Sequence, residues 1–121
     1  MKKILLVDDD EDTLDIVKYI LTAKGFDVYI LCTGLNVPEI VKNYNPDLIL
    51  IDILLSGKSG TEICKELKRI YHMPIILFSG NTAKGEAFAT CGADDFLQKP
   101  FDLNDLLNTV NFHLYYDHME V

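Results

Sequence analysis

Four short runs, apolar or nearly so, each end on a side chain able to handle a phosphoryl group. Residues 4–7 precede Asp8 and Asp9, 48–51 precede Asp52, 75–78 precede Ser79, and 96–98 precede Lys99. The runs at 4–7 and 48–51 are continuously apolar instead of alternating, as strands buried on both faces of a parallel sheet require. Helices must then cover both faces. If the runs are parallel neighbours, their carboxyl ends lie side by side. The five side chains then converge on the crevice where open α/β sheets bind ligands.

Between the runs the period changes to that of a helix. Leu14, Val17 and Leu21 mark a helix over about 12–24, with Gly25 as its stop. Residues 26–31 read as a second strand, and 35–44 as a second helix with Pro38 tolerated in its first turn. Asn45, Pro46 and Asp47 then punctuate before the third strand. After a glycine-bearing loop at 56–60, Ile63, Leu67 and Ile70 set a stripe that ends near His72, Met73 and Pro74. A shorter helix over about 83–91, a brief fifth strand and a final helix over about 103–116 complete the chain. Strand and helix alternate five times, which implies an α/β, doubly wound, five-stranded parallel sheet flanked by five helices.

A length of 121 residues suits one domain with one good core, so 1–121 is read as a single domain. The net charge of -8 opposes binding to polyanions, because nonspecific nucleic-acid affinity comes mainly from Lys and Arg. Cys32, Cys64 and Cys91 are odd in number and lack metal-pair spacing, and they read as buried free thiols. The apolar run after Lys2 and Lys3 is too short for a signal peptide, and no stretch is long enough to span a bilayer. A reducing cytoplasm, with neither nucleic acid nor membrane as partner, fits these features.

Three carboxylates at adjacent strand ends repel, each close pair by roughly 4 kcal/mol at an effective dielectric near 20. A cation must therefore sit among them. Hard oxygen ligands suit Mg2+, which keeps several waters and takes one or two carboxylates plus phosphate oxygens. Lys99 supplies a second positive charge. Asp52, alone at the end of its run, is the candidate phosphoryl acceptor, with Ser79 and Lys99 placed to bond phosphoryl oxygens.

Taken jointly, Val7-Asp8-Asp9-Asp10, Asp52, Ser79-Gly80 and the segment from Ala93 to Phe101 around the fifth strand resemble a receiver domain of two-component response regulators, CheY-like in kind. The resemblance spans essentially the whole chain. It implies a flavodoxin-like sheet of order 2-1-3-4-5, and Mg2+-dependent phosphorylation of Asp52 by a sensor histidine kinase or histidine phosphotransfer protein. It further implies direct Mg2+ ligation by Asp9, Asp52 and the Leu54 carbonyl, with Asp8 acting mainly through a metal-bound water. Ser79 and Phe96 become a switch pair whose rearrangement remodels the face formed by the 83–91 segment, the fifth strand and the final helix. Such a protein is not an enzyme on other substrates; it catalyses only its own phosphorylation and dephosphorylation, through Asp52, Lys99 and Ser79. With no output domain attached, its output is expected to be contact with a downstream protein target.

The chain departs from the family pattern at several positions. Ser56 stands where Pro is common, which implies a more mobile loop at 56–60. Phe96 lacks the hydroxyl of the Tyr often found there. Leu54 and Asn81 occupy places that tune phosphoryl lifetime.

Other readings compete. A haloacid-dehalogenase-type phosphatase would make Asp8 the nucleophile and Asp10 the acid/base, but leaves Asp52 unexplained. A degenerate receiver that never takes phosphate would not need all five core residues. Asp10 and Asp12 are also natural caps of the first helix. His72, His113 and His118 read as surface residues. Ile16 and Tyr19, off the Leu14 stripe, suit either packing of a wide helix face or docking of a phosphodonor.

Overall fold

The computed structural model describes residues 1–80 and 91–116. Five parallel strands form one sheet: β1 (Lys3–Val7), β2 (Asp27–Leu31), β3 (Leu48–Asp52), β4 (Ile75–Ser79) and β5 (Asp95–Gln98), in the order β2-β1-β3-β4-β5. The order matches the doubly wound expectation. Every residue of β3 and β4 is buried, whereas the outer strands β2 and β5 are only partly covered. This difference explains why the two central runs are continuously apolar and β2 admits Asp27 and Tyr29.

Four α-helices lie among the described residues: α1 (Glu11–Ala23), α2 (Val37–Tyr44), α3 (Gly60–Lys68) and α4 (Leu103–Asn111), the last running into a π-helical turn at Phe112–Tyr116. The helix expected at about 83–91 falls outside them, apart from Cys91. Two cores sandwich the sheet. On one face Leu14, Val17 and Leu21 of α1 and Leu106 and Val110 of α4 pack on Ile4, Leu6, Leu50 and Phe78. On the other, Val37 and Val41 of α2 and Ile63, Cys64 and Leu67 of α3 pack on Leu5, Val7, Ile49 and Leu77. Alternate residues of one strand thus feed opposite cores.

Local chemistry sets the helix ends. The Ser59 side chain accepts a hydrogen bond from the Glu62 amide at the start of α3, and Asp102 does the same for the Asp105 amide at the start of α4. Pro38 sits in the first turn of α2, and Asn45 closes that helix in the left-handed conformation at φ 55°.

Several expectations are corrected. Ile70 is 69% exposed, because α3 ends at Lys68 and the chain turns before the stripe can continue; Cys64 takes the buried place. Cys32 is exposed, while Cys64 and Cys91 are buried free thiols. His113 is buried, not at the surface, whereas His72 is exposed and His118 lies outside the described residues. Ile16 and Tyr19 face solvent at 60% and 77% exposure, so α1 buries only its Leu14 stripe.

Candidate functional site

Parallel register carries the key side chains to one end of the sheet. Val7 pairs with Ile51 and Asp52 with Phe78, so Asp8, Asp52 and Ser79 leave their strands at neighbouring points; Ser79 pairs in turn with Gln98, which places Lys99 beside it. Carboxylate oxygens of Asp8, Asp9 and Asp52 all lie within 4.8 Å of one another. The Lys99 ammonium bridges two of them, 2.7 Å from Asp8 Oδ2 and 2.9 Å from Asp52 Oδ2. Asp9 is the exposed member, and Asp8 and Asp52 are buried.

Backbone donors fix the two buried acids. The Asp10 amide donates to Asp8 Oδ1 at 2.9 Å, and the Leu54 amide donates to Asp52 Oδ1 at 3.0 Å. The Lys99 amide donates to the Ser79 carbonyl at 2.9 Å, which ties the ends of β4 and β5 together. Gly60 gives the loop after β3 its tight path: a Cβ there would overlap the Asp52 carbonyl, so α3 starts against β3 only because the residue is glycine.

Loss of solvent raises the Asp8 carboxyl above its ordinary range, and the Lys99 ammonium only partly offsets this. For Lys99, burial alone favours the neutral amine, but Asp8 and Asp52 together outweigh it and hold the ammonium charged. Among the described residues, Lys99 is the one cation bonded to the three clustered acids. An all-oxygen set open toward Asp9 fits a small hard divalent cation.

Asp8, Asp9, Asp52 and Lys99 thus meet by direct distance, and Ser79 joins them by register. Ser79 is buried at the end of β4, and Phe96 is half-buried on β5 opposite Leu77, packed against the second core. Leu54, a residue 62% exposed, stands at the rim beside Asp52. Asn81 lies outside the described residues. Asp10 occupies the cap position of α1, but its carboxylate accepts the Thr13 hydroxyl at 2.7 Å rather than a helix amide.

Ser56 makes one contact unavailable to proline at this position, through its hydroxyl. Its hydroxyl lies 3.4 Å from Asp9 Oδ2, a long contact, and its carbonyl accepts from the Gly34 amide at 3.3 Å. No sequence pattern signals this link, since the partners are far apart in the chain. The burial of His113 had a legible signal: Leu106, Val110, His113 and Leu114 follow helical spacing.

A doubly wound sheet with an acid cluster and a lysine at its strand ends defines a class of phosphoryl-handling α/β domains. The family model for the response regulator receiver domain matches residues 4–111, and the chain belongs to that family. Its members are phosphorylation-activated signalling switches of two-component systems. Receiver domains typically bind Mg2+ at an acidic pocket and interact with histidine kinases and downstream effectors. They are generally non-enzymatic signalling domains.

Solved structures agree. A CheY-like response regulator receiver domain protein from Methanospirillum hungatei is 31% identical with a TM-score of 0.90, over 100% of this chain and 99% of that one. The BeF3-activated N-terminal receiver domain of RstA from Klebsiella pneumoniae is 28% identical with a TM-score of 0.89, over 94% and 99%. The signal receiver domain of a signal transduction histidine kinase from Syntrophus aciditrophicus is 26% identical with a TM-score of 0.88, over 100% and 96%. No helix among the described residues is long and apolar enough to cross a membrane.

Proposed function

We propose that Asp52 is the phosphoryl acceptor of this receiver and that residues 1–121 act as one cytoplasmic switch domain. The observation that carries this reading is the single ammonium of Lys99 bonded to both Asp8 and Asp52 within the acid cluster. Asp9, Asp52 and the Leu54 carbonyl would hold Mg2+, with Asp8 supporting it from the second rank. When bound, Mg2+ neutralises charge on the phosphoryl oxygens and aligns them.

The donor is a phosphohistidine of a sensor histidine kinase or histidine phosphotransfer protein. An Asp52 carboxylate oxygen attacks phosphorus, the P–N bond breaks, and the imidazole nitrogen keeps the electron pair and takes a proton. An acyl phosphate results. Lys99 bonds one phosphoryl oxygen, which offsets the negative charge brought between Asp8 and Asp9. Ser79 donates its hydroxyl to another, and its movement lets Phe96 turn inward, so the event is read by a downstream protein target. In hydrolysis, water attacks phosphorus, the P–O bond to Asp52 breaks, inorganic phosphate leaves carrying the water oxygen with a proton released to solvent, and the carboxylate returns.

Two observations weigh against the phosphatase alternative. Asp8 is fully buried with both oxygens engaged, and Asp10 is tied up by Thr13. The test is acetyl phosphate with Mg2+ followed by peptide mass spectrometry. One phosphoaspartate at position 52, absent in Asp52→Asn, is expected; phosphate on Asp8 would reject the assignment.

A further inference from the structure

Asp95, the first residue of β5, uses its two carboxylate oxygens for two different parts of the fold. Oδ1 accepts the Phe96 amide at 2.8 Å, and Oδ2 lies 2.9 Å from Nε2 of His113 in the π-helical turn after α4. His113 is 4% exposed, with the Phe112 ring edge-on to it at 4.9 Å between centroids. A carboxylate only accepts, so the imidazole Nε2–H is the donor. The imidazole end of this link is buried while the carboxylate end is partly exposed, so the bond is shielded from water on the His113 side, where the low local dielectric strengthens it. π-helical turns also recur at functional positions.

We infer that His113 is a positioning residue that couples Phe96 to the C-terminal turn through Asp95. This rests on the reading of the phosphoryl site given above. Any shift of the Phe96 backbone pulls on Asp95 Oδ1, and the same rigid carboxylate carries the shift to His113 and the Phe112–Tyr116 turn. The turn exposes Phe112, Tyr115 and Tyr116, so its state alters an aromatic surface remote from Asp52.

The test uses beryllofluoride with Mg2+ as the phosphoryl mimic. Binding is read by 19F NMR, and amide hydrogen exchange is read over residues 112–116. In the unmodified protein, binding is expected to change exchange there by about fivefold or more, the low end of ordinary coupling between sites. His113→Leu should bind beryllofluoride yet lose that change. His113→Gln, whose amide nitrogen can donate from nearly the same place, should restore it. Asp95→Ala, at a more exposed residue, should lose it as well and serves if His113→Leu does not fold. Equal exchange changes in His113→Leu or Asp95→Ala and the unmodified protein would overturn the coupling. Beryllofluoride bound to the unmodified protein with no change at 112–116 would also overturn it. Absence of any binding would instead overturn the phosphoryl-site reading, and the coupling with it.

Discussion

Asp8 sets the electrostatic tone of the site. Burial holds its carboxyl above the ordinary range, so the folded state keeps this proton more firmly than the unfolded chain does. The sign follows: Asp8 favours folding below pH 3.8, and the benefit is lost as pH rises through its folded value. At neutral pH without Mg2+ the ionised group is a net cost. Asp8→Asn is therefore expected to stabilise the Mg2+-free protein at pH 7 by about 1 kcal/mol, seen as a higher melting temperature, with no gain near pH 3. The melting temperature of Asp8→Asn should also rise less on adding Mg2+. Lys99 follows the same sign in a different window: its folded value is raised too, so its contribution is full at neutral pH and is lost only as pH rises above 10.5. Leu54 stands exposed at the rim beside Asp52, and on the proposed reading its apolar side chain would hinder the hydrolytic water. Leu54→Asn should speed loss of the phosphoryl group by roughly tenfold, about 1.4 kcal/mol of barrier, in a decay assay. An unchanged rate would remove that role.

Strands and helices depend on how closely the loops let them approach. A Cβ on Gly60 would strike the Asp52 backbone, so Gly60→Ala must push α3 away from β3. The expected loss is about 2–3 kcal/mol by chemical denaturation, in the range for overpacked buried sites, together with weaker Mg2+ binding measured by calorimetry. The strands were the most readable part of the sequence, because burial on both faces forces an uninterrupted apolar run at 48–51 and 75–78. Helix ends were less readable. Ile70 keeps the spacing of Ile63 and Leu67, yet the backbone leaves the helix at Lys68, and nothing in a periodic pattern reports where hydrogen bonding stops. A place near the C-terminus with no partner spacing suggests a surface His113, but the residue lies on the Leu106 and Val110 stripe and is buried. The Ser56 contact with Asp9 depends on loop geometry, which has no period at all.

For the protein as a signalling partner, the faces differ in what they leave uncovered. Ile16 projects from α1 into a groove also lined by Asp12, Lys99 and Phe101, while Tyr19 is exposed further along the same helix. Ile16→Glu is expected to slow phosphotransfer from a cognate histidine donor by about tenfold or more, the scale of one lost apolar anchor, while acetyl phosphate labels Asp52 at the usual rate. Equal loss with both donors would point to a damaged site instead of a lost docking contact. The sheet order adds a constraint of another kind. β1 and β3 are neighbours in space although α1, β2 and α2 lie between them in the chain. The two acids needed at one spot therefore arrive together only after that distant pairing closes. A nascent or damaged copy that has not closed it holds no complete receptor for phosphate. Closing β1 on β3 is thus the step on which the assembled acid cluster depends.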